Sequence, residues 1–232
     1  MRILGIIPAR GGSKGIPGKN IKLLNGKPLL QYTAEIALGS QYLTAVIVSS
    51  EDNQIITVAK SLGIQVPFLR PEELAQDTTP TIDVIIHALK WFENQAIFFD
   101  AVCLLQVTSP FRTLAFLDKA IEKFIASGSD SLVSVQKVPH EYNPHWTFEV
   151  NPEGNLKIAT GEEKIISRRQ ELPEAYHRDG IIYITKTKVL LEHHSLFGKS
   201  ISFIESSPEF YVNIDTLADW EKAEQMIKNN QK

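Results

Sequence analysis

An α/β fold, built on a mostly parallel sheet covered by helices, is predicted by three features of the sequence. These are short apolar runs rich in β-branched residues, amphipathic helical stripes between them, and a change of texture after residue 135. The runs are ILGII at 3–7, AVIV at 45–48 and AVCLLQV at 101–107. None alternates strictly with polar residues, which is the pattern of strands covered on both faces. Between them, Leu29, Leu30, Thr33, Ala34 and Ala37 share one helical stripe; Ile82, Ile85, Ile86 and Leu89 make a second, and Leu114, Leu117, Ile121 and Phe124 a third. Alternation of strand and helix favours parallel pairing through crossover connections. A ligand crevice is then expected beyond the carboxyl ends of the strands.

A strand at 131–135 (SLVSV) closes this regular part. Beyond it Pro139, Pro144, Pro152 and Pro173 interrupt the chain, each restricting the residue before it. Residues 146–150 (WTFEV) read as a strand with one exposed face, and NPEGN at 151–155 as the turn leading to a partner at 156–158. The segment 137–176 is therefore expected to leave the main sheet as a hairpin-bearing subregion, serving either as a dimer contact or as a lid within one subunit. A core-like strand resumes at 180–185 (GIIYIT), and 201–204 (ISFI) is another candidate. Thr216, with Asp219 three residues on, forms a variant capping box for a last helix that sets Trp220, Ala223 and Ile227 on one side. With no internal repeat, residues 1–232 are expected to form a single domain.

At 232 residues, with 43% hydrophobic and 22% charged side chains, the chain is long enough to bury a substantial core and does not have a disordered composition. A formal charge of -3 supplies no global field for a nucleic-acid backbone, so no nucleic-acid partner is expected. No apolar run reaches the roughly 18–20 residues that span a bilayer, and the first residues lack the apolar segment of a secretory signal, so no membrane partner and a cytoplasmic location are expected. Cys103 is the single cysteine and reads as a buried strand side chain.

Directly after the first apolar run lies PARGGSKGIPGKN at 8–20. Its four glycines allow tight turns and close approach of backbone N–H groups to an oxygen-rich ligand, while Arg10, Lys14 and Lys19 bring positive charge. A triphosphate matches that chemistry. The Walker pattern fails here because Asn20 follows Gly18-Lys19 where a hydroxyl is required. A dinucleotide fingerprint fits no better, with Gly11-Gly12 adjacent and Pro17 inside the loop.

Further motifs follow: NGKPLL at 25–30, LRPEELAQD at 69–77, QVTSPFR at 106–112, RRQELPEAYHRDGIIYI at 168–184 and NIDTLADW at 213–220. Together with IIPARGGSKGIPGKN at 6–20, in this order, they resemble the acylneuraminate cytidylyltransferases over nearly the whole chain. The resemblance implies a Rossmann-like nucleotidyltransferase, a homodimer, and transfer of CMP from CTP to the anomeric C2 hydroxyl of a nine-carbon 2-keto sugar acid, N-acylneuraminate or a close analogue. Legionaminic, pseudaminic and eight-carbon ketodeoxy acids are the alternative acceptors. An alternative of a different class is a nonenzymatic nucleotide-binding regulatory module.

By this resemblance Arg10 and Lys19 bind the CTP phosphates along with Gly11, Gly12, Ser13 and Lys14, and Asn20 helps hold loop and nucleotide. Lys19 suits charge on the reacting α-phosphate, and Arg10 the departing pyrophosphate. Arg70 and Asp77 fall on the nucleotide side, although as residues alone they also read as an exposed loop ion pair. Gln106 and Ser109 are expected near the sugar acid, with Arg112 on the following turn. Arg169 and Lys137 would meet the acceptor carboxylate, and Tyr183 would border the acyl-amino group. A magnesium ion is expected on Asp215, with Asn213 beside it. Two positions depart from the family pattern. Val107 stands where proline is common, and Asn213 replaces the first member of an Asp-x-Asp pair, which leaves Asp215 as the principal anionic ligand. The histidines show no spacing that supports zinc.

Overall fold

The structure, a computed structural model, describes residues 1–208 and 211–230. Strand β1 (Ile3–Pro8) is followed by the glycine-rich loop, a 3-10 turn at Lys19–Ile21, and a small ribbon of β2 (Leu23–Leu24) and β3 (Lys27–Pro28). Next come α1 (Leu29–Gly39), β4 (Ala45–Ser49), α2 (Asn53–Ser61) and α3 (Thr81–Glu93). Strand β5 (Ala101–Leu104), α4 (Leu114–Ser127) and β6 (Ser131–Lys137) complete the regular half. The hairpin of β7 (Phe148–Val150) and β8 (Leu156–Ile158) precedes β9 (Tyr176–Lys186), α5 (Thr187–His193), β10 (Ile201–Glu205) and α6 (Leu217–Asn230).

The main sheet has the order β10-β6-β9-β5-β1-β4. Strands β4, β1 and β5 are parallel, as are β10 and β6, while β9 runs antiparallel to both of its neighbours. This is the mostly parallel, Rossmann-like sheet that was expected, with one reversed strand.

Period-two alternation explains why the central strands read as continuous apolar runs. On β1, Ile3 and Ile7 join one buried cluster and Leu4 and Ile6 the other. On β5, Ala101 and Cys103 face the first and Val102 and Leu104 the second. Helices α1, α2, α4 and α6 cover the first face, and α3 and α5 the second. Burying each large aliphatic or aromatic side chain in these layers stabilises the fold by about 1.5–3 kcal/mol. The capping box of α6 forms as read: Thr216 N donates to Asp219 Oδ2 at 2.8 Å and Asp219 N to Thr216 Oγ1 at 3.3 Å.

Several boundaries differ from the sequence reading, each for a local reason. Strand β5 ends at Leu104 rather than residue 107, because the next carbonyls are taken by other partners. Arg112 Nη2 donates to Gln106 O at 3.2 Å and Ile214 N to Thr108 O at 2.8 Å. Leu114 and Ile86 are less covered than their stripes suggested: Leu114 begins α4 and is exposed, and Ile86 is only half-buried. Trp146 lies in a 3-10 turn outside β7, its indole N–H donating to Ile166 O at 2.6 Å. The β7–β8 hairpin is antiparallel, pairing Phe148 with Ile158, and it leaves Phe148, Val150 and Leu156 exposed.

An irregularity in β9 matters for the site. Val133 faces Tyr183 but Val135 faces Arg178, so β9 bulges over residues 179–182. Buried Asp179 fills the bulge, accepting from Ser134 Oγ at 2.5 Å, Ser206 Oγ at 2.6 Å and Ile181 N at 2.9 Å. Gly180 turns through φ +82° there, and a side chain added to it would meet Gln106 Oε1 at 3.1 Å.

Cys103 is fully buried, and burial pushes its thiol up to about 12. Thiolate reactivity should therefore be absent from the native state. We expect Ellman's reagent at pH 8 to label the folded protein at least about 100-fold more slowly than the urea-unfolded chain; comparable rates would show that the sheet does not shield β5.

Candidate active site

Strand β1 delivers the glycine-rich loop to the carboxyl edge of the sheet, where Ile16 is buried and anchors it. Gly18 takes the left-handed conformation (φ +63°) that starts the Lys19–Ile21 turn, a conformation that costs glycine little. Asn20, also buried, donates from Nδ2 to Arg10 O at 2.8 Å, tying the end of the loop to its beginning. Gly15 packs directly on the Asp215 backbone: an added Cβ would lie 2.1 Å from the Asp215 carbonyl oxygen.

Each cation of the loop is met by a carboxylate. Arg10 and Lys14 both pair with Asp77. Lys19 Nζ donates to Ile214 O at 2.7 Å and to Asp215 Oδ1 at 3.0 Å. Gly11 N donates to Glu51 Oε1 at 2.7 Å. Hydrogen bonds from Lys14 and then Arg10 hold the Asp77 carboxyl below its usual range.

Of the two residues that also read as an exposed loop ion pair, Arg70 is buried, whereas Asp77 does form such pairs, with Arg10 and Lys14. Arg70 Nε donates to Ser49 Oγ at 3.0 Å, its Nη2 to Ser49 O, and its Nη1 lies 4.0 Å from Glu51 Oε2. Burial draws its pKa down to about 10, which leaves the guanidinium charged at neutral pH. A cleft of about 300 Å³ opens between these elements, lined by Arg10, Lys19, Asn20, Arg70, Gln106 and Asp215 among others. It lies beyond the carboxyl ends of β1, β4 and β5, where an open α/β sheet places its ligand. A second space of about 280 Å³, lined by Gly12, Ser13 and Lys14, adjoins it across Arg10 and Asp77.

Other candidate residues lie elsewhere. Ser109 is buried, with its hydroxyl 3.4 Å from Gly180 O. Lys137 pairs with Glu174 at 2.5 Å, which raises the lysine and lowers the glutamate pKa. Arg169 is exposed on a 3-10 turn. Tyr183 is buried in β9 with its ring centroid 6.2 Å from that of Phe197, and burial raises its pKa. None of these four lines the 300 Å³ cleft. Asn213 is half-buried and donates to Asp215 Oδ2 at 2.6 Å.

Sequence reasoning missed Glu51, Gln76, Thr79, Thr81 and Thr108, of which the last four line the cleft. Glu51 and Thr108 follow the carboxyl ends of β4 and β5, a position that could have flagged them. It also missed two histidine–carboxylate pairs, His194–Asp83 at 3.0 Å and His145–Glu162 at 2.8 Å. No cluster of three or more metal-binding side chains of the His, Cys, Asp and Glu types occurs among the described residues. Of the two expected ligands only Asp215 lines the cleft, where its carboxylate accepts from Lys19 Nζ and Asn213 Nδ2; a carboxylate beside an amide is a donor set that a hard divalent ion can take. Magnesium commonly uses one or two carboxylates and takes its other ligands from water and substrate phosphates.

A cation-rich loop at the switch edge of a Rossmann-like sheet defines the class as a nucleotide-handling α/β protein. Residues 4–232 match the model of the cytidylyltransferase family, and the chain belongs to that family. It is 38% identical to the CMP-N,N'-diacetyllegionaminic acid synthase of Legionella pneumophila, over 100% of this chain and 98% of that protein. It is 37% identical to a pseudaminic acid cytidylyltransferase of Campylobacter jejuni, over 99% of this chain and 98% of that one. A solved structure of CMP:2-keto-3-deoxy-manno-octonic acid synthetase complexed with CTP superimposes with a TM-score of 0.72 and 19% identity, covering 99% of this chain and 100% of that one, which shows a shared fold.

The contact of Gly15 with the Asp215 backbone leaves no room for a side chain. Gly15→Ala should cost about 1–3 kcal/mol by overpacking, read from urea unfolding; an unchanged midpoint would mean that the two segments are not in contact.

Proposed function

We propose that this cytidylyltransferase joins CMP from CTP to the anomeric C2 hydroxyl of a nine-carbon 2-keto sugar acid of the legionaminic or pseudaminic kind, releasing pyrophosphate. The convergence of Arg10, Lys19, Arg70 and Asp215 on one cleft carries the nucleotide half of this reading. Full-length similarity to a legionaminic and a pseudaminic acid enzyme supports the acceptor, and favours it over N-acetylneuraminate.

In the proposed reaction the C2 hydroxyl oxygen bonds to the α-phosphorus, the bond to the bridging oxygen breaks, and pyrophosphate leaves with that electron pair. The hydroxyl proton passes to solvent. Lys19 offsets charge on the α-phosphoryl oxygens, and Arg10 with Lys14 and the loop N–H groups receives the pyrophosphate. Asp215, with the Asn213 amide beside it, would hold a magnesium ion, which when bound neutralises phosphate charge. Arg70 fixes the nucleotide side from its buried anchor on Ser49, while Asp77 acts through Arg10 and Lys14. Gln106 meets the sugar acid at the cleft, and Ser109 and Arg112 support the turn that carries it. Lys137 and Arg169 serve the acceptor carboxylate and Tyr183 its acyl-amino side. A homodimer formed through the segment 137–176 is part of this reading, supported by the exposed Phe148, Val150 and Leu156. A cytoplasmic location is proposed too; no helix among the described residues is long and apolar enough to cross a membrane.

The decisive measurement is pyrophosphate release with CTP, UTP, ATP and GTP against legionaminic, pseudaminic, N-acetylneuraminic and eight-carbon ketodeoxy acids, followed by identification of the joined product. Release confined to CTP with a legionaminic or pseudaminic acid is expected. Saturable nucleotide binding without turnover on any acid would instead identify a binding module.

With the preferred acid, Lys19→Ala should lower kcat by at least about 100-fold, the scale of losing a transition-state donor. The Lys19 side chain is only 11% exposed and ties Ile214 O to Asp215, so its loss should lower the melting temperature by about 2–4 °C, far too little to account for that fall in kcat. Near-normal turnover would remove Lys19 from the chemistry.

A further inference from the structure

The Arg10–Asp77 pair forms a partition. Arg10, Ser13, Gln76 and Asp77 line both the 300 Å³ cleft and the adjoining 280 Å³ space. The first also holds Lys19, Arg70 and Asp215, and the second Gly12 and Lys14. A nucleoside monophosphate needs only the first. A triphosphate laid along the glycine-rich loop has to pass the line between Arg10 and Asp77.

Asp77 also occupies the donors that such a ligand would use, since its two carboxylate oxygens take Arg10 Nη1 and Lys14 Nζ. Carboxylate and phosphate oxygens compete for the same charge-assisted N–H donors. An ionised Asp77 held against these donors would also repel the polyphosphate brought to them.

The pairs are built to yield. The Lys14 side chain is 84% exposed and that of Asp77 34% exposed, so water can solvate both partners as they separate. The surrounding loop is held by bonds that do not involve Asp77. Gln76 Nε2 donates to Glu72 O at 2.7 Å, Thr79 N to Gln76 O at 3.1 Å, and Thr79 Oγ1 to Glu73 O at 3.1 Å. The Asp77 side chain can therefore leave without unfolding the segment that leads into α3.

We propose that Asp77 is a stand-in anion: it holds Arg10 and Lys14 in position before nucleotide binds, and the β- and γ-phosphoryl oxygens of the nucleotide displace it, joining the two spaces into one. The inference rests on the nucleotide reading above and adds a positioning residue to it. It carries a sign opposite to that of a direct contact. Removing the Asp77 charge should strengthen binding of ligands that reach past Arg10, because a competing internal anion lowers apparent affinity in proportion to the blocked fraction. Ligands that stop at the α-phosphate should not respond.

The test is calorimetric titration of the whole chain, unaltered and as Asp77→Asn and Asp77→Ser, with inorganic pyrophosphate, CTP and CMP and no acceptor. Both variants should bind pyrophosphate and CTP about 3- to 10-fold more tightly, the scale of two exposed ion pairs, and CMP as the unaltered protein does. A residue that merely supports the loop would give weaker binding of all three ligands. Equal or weaker pyrophosphate binding in both variants, with CTP binding intact in the unaltered protein, overturns the stand-in role and leaves the nucleotide reading standing. Failure of every form to bind CTP or pyrophosphate overturns both.

Discussion

Arg10, Lys14, Lys19 and Arg70 carry four positive charges to one end of the sheet, and like charges so gathered repel unless anions lie among them. The chain supplies those anions itself. Asp77 is shared by Arg10 and Lys14, Asp215 faces Lys19, and Glu51 lies beside Arg70 and accepts from Gly11 N. Without them the loop would have no electrostatic reason to hold its cations inward before a ligand arrives. Preorganised donors act at once on charge that develops during reaction, and this pairing keeps the donors of the loop preorganised.

The same constraint fixes which parts of the fold must be rigid. Loop and carboxylates come from four separate stretches: the end of β1, the end of β4, the turn before α3, and the approach to α6. They meet because β1 runs between β4 and β5, with both of its faces buried. Contact between Gly15 and the Asp215 backbone brings the last of these stretches against the first. Asn20 closes the loop from within. Packing therefore sets the distances, and charge pairing sets the side-chain directions.

The glycine-loop side of the cleft was far more legible in the sequence than the side proposed to take the acceptor. The apolar runs at 3–7 and 45–48 became β1 and β4, and most stripe residues of α1, α3 and α4 are buried, because burial on two faces leaves a plain pattern. The glycine-rich loop announced itself by composition. Carboxylates such as Glu51 did not, since a single acidic residue after a strand looks like any surface group until its partners are known. Asp179 was hidden for a related reason. Asp-Gly inside a strand suggests a turn, whereas its side chain fills the β9 bulge through contacts with Ser134 and Ser206, far away in sequence.

That bulge bears on how the acceptor half is assembled. It brings Gly180 against the side chain of Gln106, which lines the cleft, and its carbonyl toward the Ser109 hydroxyl. Lys137 and Arg169, the cations proposed for the acceptor carboxylate, do not line the cleft and lie in or beside the segment that carries the β7–β8 hairpin. Both are exposed, and Lys137 is neutralised by Glu174. In the proposed reading, one chain forms the nucleotide cleft and the acceptor cations lie outside it, so the second half of the site would come through a closing movement or a second subunit. Exposed Phe148, Val150 and Leu156 favour the subunit in the proposed reading, because apolar side chains clustered on a hairpin gain free energy when another surface covers them.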